Sequence, residues 1–158
     1  MIVILALASS VVLLNAPPSR PESRDDAERF AARLTLAFDR VIATGETLRV
    51  SIDAKGYSFQ SLKDDAWTPV DDAKPFARAE FGRRTAATIE IEDAANDNAR
   101  ALGDDDSDED DEEEKGVVAI ALDPLGGQTP FEATFSNPDG VWTVRVTEAA
   151  GVSVSDER

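Results

Sequence analysis

Apolar and polar residues follow three successive rhythms along this chain. Met1–Leu14 (MIVILALASSVVLL) is an apolar run broken only by Ser9 and Ser10 and closed by Asn15, Pro17, Pro18 and Pro21. From Ala27 the apolar positions recur at Phe30, Ala31, Leu34, Phe38, Val41 and Ile42, spacings of three and four that predict an amphipathic helix. Ser23 and Asp25 offer N-cap and first-turn chemistry ahead of it, and Gly45 stands where a left-handed C-terminal cap is expected. Arg29, Arg33, Asp39 and Arg40 fall largely on the other side. The stripe Phe30, Leu34, Phe38 and Val41 is expected to pack on a sheet rather than to bind a partner, because an amphipathic helix of this length needs a tertiary face.

From Thr47 onward the rhythm shortens to two. Leu48–Ile52 alternates, Ala54-Lys55-Gly56 turns, and Tyr57–Leu62 returns with Tyr57 and Phe59 on one side, which reads as a hairpin. A short strand is expected at Trp67–Val70, then a polar connection through Pro75 and Gly82, then a strand at 85–92 in which Ile89 and Ile91 alternate with acidic residues. Further strands are expected at Val117–Leu122, Phe131–Ser136, Val141–Thr147 and Val152–Ser155, separated by the turns Asp123–Gly127 and Asn137–Gly140. One helix ahead of several short strands predicts an α+β fold, with the helix packed on antiparallel sheets in a sandwich-like arrangement.

The first run raises the question of a membrane. Fourteen helical residues reach only about 21 Å, short of the ~30 Å hydrocarbon core. A secretory signal has a basic stretch before its apolar part, and none precedes this run. The segment reads as a membrane helix short of its first residues; a buried core helix is the other reading, although a run apolar on every side needs a larger domain around it.

Composition narrows the chemistry. The 158 residues include no histidine and no cysteine, so triad hydrolysis, His-liganded zinc, thiolate metal sites and disulfides are excluded. The net charge of −16 argues against nucleic acid, which needs a Lys/Arg excess. Ten of those charges lie in Asp104–Glu114 (DDDSDEDDEEE), and without them the value is an ordinary −6. Residues 103–115 therefore read as a solvated, disordered acidic insertion. Asp104, Asp106 and Asp108 alternate like the start of a calcium loop, but Glu109 stands where that loop needs glycine, so a specific calcium site is the weaker reading and contact with basic neighbours another. Trp67 and Trp142 lie in strand-like segments, where packing is the commoner fate of a large aromatic. Paired carboxylates could serve a glycosidase without histidine, yet 32 acidic residues supply such pairs by chance and no segment singles one out. No enzyme activity and no cofactor are expected.

The apolar run, the continuation Asp25–Leu62 and the segment Thr129–Val154 together resemble the type II secretion pseudopilin H family. The resemblance rests on a helix ending in Ala43-Thr44-Gly45, a Gly56-Tyr57-x-Phe59 strand, and a late Gly126-x-x-Thr129-Pro130-Phe131 hairpin, in that order. It implies a minor pseudopilin of the periplasmic pseudopilus that drives folded proteins across the outer membrane. It further implies a single-pass anchor at residues 1–16 in the bacterial inner membrane and a periplasmic domain at 22–158. Family members carry a Gly-Phe-Thr-Leu-Ile-Glu-like stretch ahead of the apolar run, trimmed and methylated by a prepilin peptidase; if Met1 follows such a stretch, Pro17 falls at the helix bend of pilin-like proteins. The implied partners are other major and minor pseudopilins and the inner-membrane platform. In such an assembly Ile2, Ile4, Leu5, Val11, Val12, Leu13 and Leu14 would exchange lipid for neighbouring helices, with Ala6 and Ala8 allowing close approach; a purely lipid-facing anchor is the plainer reading. A rival function is an exported, soluble β-rich binding module whose N-terminus is a degenerate signal peptide.

Overall fold

The computed structural model describes residues 20–70, 74–91, 116–125 and 127–157. The expectations for Met1–Leu14, Pro17 and the acidic insertion concern residues outside these ranges. The described chain begins with helix α1 (Glu22–Thr44), followed by strands β1 (Leu48–Ile52), β2 (Gly56–Lys63) and β3 (Ala66–Pro69). A single 3-10 turn (Lys74–Phe76) and a two-residue strand β4 (Ala79–Glu80) lead to β5 (Ala86–Ile91). Beyond the insertion come β6 (Val118–Leu122), β7 (Phe131–Asn137), β8 (Gly140–Val146) and β9 (Val152–Glu157).

These strands form two antiparallel sheets. The first has the order β3-β2-β1-β6, with β4 also paired to β2; the second has the order β5-β7-β8-β9. Register follows the apolar alternation: Val50 lies opposite Phe59 and Ile120, and Ala133 lies opposite Ile89 and Val144, so each sheet turns one apolar face inward. The helix supplies what lies between those faces. The Phe30 ring packs edge-on to Tyr57 of β2 with centroids 4.9 Å apart and meets Phe135 of β7 at 5.5 Å, so one side chain touches both sheets. Phe59, Phe76 and Phe81 extend the same aromatic cluster. Fully burying a side chain of this size contributes about 1.5–3 kcal/mol, which makes this cluster the centre of the core.

Two turns need their residue types. Gly45 has φ +68° and its amide donates to Val41 O, closing α1 in the left-handed conformation that costs glycine nothing. At Gly56 a side chain would meet the Ala79 carbonyl oxygen at 2.1 Å, so β4 lies directly on the backbone there. The β2–β3 turn puts Asp64 and Asp65 at φ 51° and 62°, the paired left-handed geometry of a two-residue hairpin.

Three details differ from the sequence expectation. The start of α1 is capped by neither Ser23 nor Asp25: the helix begins at Glu22 after Pro21, whose side chain makes no capping bond. Ser23 lies inside the first turn and is buried, its hydroxyl committed elsewhere. The stretch read as a polar connection contains the 3-10 turn and β4, and it buries Phe76 and Ala79 because it closes the open flank of β2. Finally, β8 starts at Gly140 and β9 continues to Glu157, since the ladder between them outlasts the apolar alternation.

Candidate assembly surface

Helix α1 organises the molecule, and its sides do different work. Phe30, Leu34, Phe38 and Val41 are all buried, together with Ala27, Ala31 and Ala37 on the same stripe. Extending that stripe backwards by the same spacing reaches Asp26 and Ser23, also buried. Polar groups in that position cost free energy unless they are bonded, and both are. The Ser23 hydroxyl donates to Gly140 O at 3.2 Å, tying the helix to the β7–β8 turn. The Asp26 carboxylate accepts the Gly82 amide at 2.8 Å and a guanidinium bond from Arg29, which itself donates to Glu80 O at 2.8 Å. One turn on, Arg33 donates to Ala77 O at 2.9 Å. Sequence reasoning passed over these contacts. The available signal was a serine and an aspartate at helical spacing on an apolar stripe, positions that demand a partner.

Arginines also cover aromatic rings. Arg24 lies over Trp142 at 4.9 Å, Arg33 over Tyr57 at 5.7 Å, Arg40 over Phe76 at 5.4 Å and Arg49 over Trp67 at 4.5 Å. Both tryptophans are half-buried strand residues under a guanidinium. The hydrogen bond and charge of Glu28 raise the Arg24 pKa further above its ordinary value. Burial pushes the Tyr57 phenol up, against the nearby Arg33 and Arg29, and among the described residues no group stands in hydrogen-bonding geometry to its hydroxyl. At Asp53 burial acts upward, but the Arg78 hydrogen bond and charge and the Lys55 and Gly56 amides outweigh it and hold the carboxyl below its ordinary value.

The outer side of α1 is left uncovered in its C-terminal half. Ala32, Leu36, Asp39, Ile42 and Ala43 are exposed, with Leu36 at 45 % and Ile42 at 67 %. Across the molecule, the far face of the second sheet carries a row of hydroxyls in register over all four strands, Thr88 and Ser155 exposed at its edges, Thr134 half-buried and Thr143 buried between them. Two open grooves flank these elements. One, of about 370 Å³, lies where β7 begins and β8 ends, and its Glu132 and Arg145 bond each other. The other, of about 270 Å³, lies between the β1–β2 turn and the loop before β5. Neither brings a nucleophile to a base. Among the described residues no three acidic side chains gather as a metal site, and no helix is long and apolar enough to cross a membrane. What the described residues present is surface for packing, the exposed side of α1 foremost.

The family model of the type II transport protein GspH matches residues 26–150, from the first turns of α1 to the β8–β9 turn. No curated protein gives a significant match to the chain. Among solved structures, the minor pseudopilin EpsH from the type 2 secretion system of Vibrio cholerae has the same fold, with TM-score 0.63 and 18 % identity over 86 % of this chain and 98 % of that one. A second structure of EpsH from the same organism gives 0.61 and 20 % over 85 % and 95 %. The solution structure of E. coli GspH gives 0.57 and 18 % over 87 % and 89 %.

Proposed function

The chain belongs to the type II transport protein GspH family, and from that premise we propose that it is a minor pseudopilin, a structural subunit of the type II secretion pseudopilus that works by assembly and not by catalysis. The observation that carries this reading is the extent of the family match: it takes in α1 beyond its first turn and every strand of the two sheets except β9. The fold agrees, since EpsH, described as a minor pseudopilin of that secretion system, shares it over nearly its whole length.

The finer parts of the proposal concern the N-terminus. Met1–Leu14 is read as part of a single-pass inner-membrane anchor, with the domain from residue 22 onward in the periplasm. In the assembled pseudopilus this segment would leave lipid and pack against the helices of other pseudopilins, Ala6 and Ala8 permitting close approach. A prepilin peptidase and the inner-membrane platform are its further proposed partners, and methylation its proposed modification.

The experiment is complementation. Deleting the gene should abolish export of folded proteins across the outer membrane, and the full chain should restore it. Ala8→Arg should fail to restore it while the domain remains folded, because an arginine in the middle of the anchor costs roughly 2.5–3.5 kcal/mol on insertion scales. Undiminished secretion with Ala8→Arg, or a mature protein beginning near Ala16, would count against the proposal in favour of an exported soluble module.

A further inference from the structure

We infer that Lys55, Arg83 and Arg84 form a basic face at the N-terminal end of α1 that rests on the anionic headgroups of the membrane from which the chain emerges. The inference depends on the reading of Met1–Leu14 as an anchor, and adds to it an orientation for the domain.

Three structural facts put these side chains at one end. The Phe81 amide donates to Lys55 O at 2.9 Å, so the β1–β2 turn and the loop before β5 are joined. The Gly82 amide donates to the buried Asp26 carboxylate, so that loop is bolted to the first turns of α1. The Thr85 amide returns to Gly82 O at 2.9 Å, closing a tight turn with Arg83 and Arg84 at its tip. All three basic side chains are exposed, and among the described residues none makes an ion pair.

Several of the other charges at this end are paired, and Asp156 of β9 acts on Arg24. Asp53 pairs with Arg78, Asp26 with Arg29, and Glu28 with Arg24. Glu22 and Asp25 occupy the first turn of α1, where the helix dipole offsets part of their charge. Glu80 is the carboxylate that lines the same groove, against Lys55 and Arg83, and Asp139 belongs to the β7–β8 turn of the other sheet. The opposite end of the molecule has the reverse sign. There the turns carry exposed Asp64, Asp65, Asp123 and Glu148 beside a single exposed lysine, Lys63; the Leu62 amide bonds Thr47 O just past the end of α1, and the Gln128 amide bonds Glu148 O.

Covalent geometry brings the basic end within reach of lipid. Only Asn15–Pro21 separates the apolar run from α1. Seven residues span at most about 25 Å at ~3.5 Å each, beside a headgroup layer of roughly 5–8 Å. Each basic side chain close to an anionic surface favours contact by about fivefold, so three of them shift the balance between resting and detached orientations by on the order of a hundredfold. The acidic end is repelled by the same surface, which reinforces one orientation.

The chain has no cysteine, so single labels are clean. The full chain carrying Ala54→Cys beside Lys55, or Leu125→Cys at the far end where Leu125 is 94 % exposed, would be labelled with a fluorophore and reconstituted into vesicles whose headgroups carry a spin-label quencher. In vesicles of phosphatidylcholine with phosphatidylglycerol, quenching at position 54 should exceed that at 125 several-fold. The excess should collapse below about twofold in pure phosphatidylcholine, at about 1 M salt where screening acts within 3 Å, and with Arg83→Gln plus Arg84→Gln in a chain whose melting is unchanged. Quenching at 54 that ignores lipid charge and the arginines would overturn the inference, as would its loss to free glycerol phosphate at matched ionic strength, which would mark a site for soluble phosphate. A chain that fails to float with either kind of vesicle would instead remove the anchor reading beneath it.

Discussion

The two halves of α1 are held by different forces. In the first half, Ser23, Asp26, Arg29 and Arg33 reach backbone groups of Gly140, Gly82, Glu80 and Ala77, partners 44 to 117 residues away in the chain. In the second half the hydrogen bonds seen among the described residues are local, Thr35 to Ala31 O, Thr44 to Arg40 O and Arg40 to Glu46, while Arg40 also covers the Phe76 ring. What fixes that half is the apolar stripe of Leu34, Phe38 and Val41. Apolar burial alone is not directional and tolerates small slides of a helix over a sheet. Hydrogen bonds to defined carbonyls do not. The polar half therefore sets where the helix sits along the sheets, and it is the half nearest the chain's apolar start. In a subunit anchored by its N-terminus, force between anchor and domain would pass through those bonds first.

Phe30 lies on the apolar stripe within the first half, among the polar pins, and its loss is expected to have the largest effect. Phe30→Ala removes the α1 ring that, together with Phe81, joins Tyr57 to Phe135 and leaves a cavity, so unfolding free energy should fall by about 3–5 kcal/mol, read from the urea midpoint at constant slope. A loss below about 1 kcal/mol would show that the sheets close without it.

Asp26→Ala tests the division itself, with an expected cost of roughly 1–3 kcal/mol for leaving the Gly82 amide and Arg29 without their acceptor. The signature is where the loosening occurs. Amide exchange at Gly82 should rise well before that at Leu48 and Leu122, which sit at the other end. A uniform rise along α1 would mean that both halves are one cooperative unit.

The same contrast explains what could be read from the sequence. The stripe from Phe30 to Val41, the Gly45 cap and the strand alternation are local patterns whose period is fixed by helix and strand geometry, so they were legible. The pins were not, because a hydrogen bond from Ser23 to Gly140 depends on how two sheets close around a helix and leaves no mark on the residues beside either end. Ser23 was misread for a related reason. Serine before an apolar-periodic segment is ordinarily a cap, and only the Gly140 carbonyl facing it makes the interior position favourable. The 3-10 turn and β4 escaped notice because two paired residues are too few to show a period, although Gly56, which admits the Ala79 carbonyl, was recognised as a turn residue.

The smallest expected effect comes from the exposed side of the second half. Ile42 is 67 % exposed and belongs to no packed face of the isolated subunit. Ile42→Lys should change stability by less than about 0.5 kcal/mol, as for surface positions generally. The sign should be slightly favourable, because the last turn of α1 carries no basic residue and a lysine there opposes the C-terminal end of the helix dipole. Thermal melting of the purified domain side by side with wild type checks this. The comparison gains most when the same substitution is carried into complementation, since exposure of Leu36 and Ile42 in a subunit that works by packing makes them candidates for burial on assembly. Unchanged melting with impaired secretion would assign the second half of α1 to contacts between subunits, whereas a melting loss above 1 kcal/mol would show that Ile42 already supports the fold and that the two halves differ less than their bonds suggest.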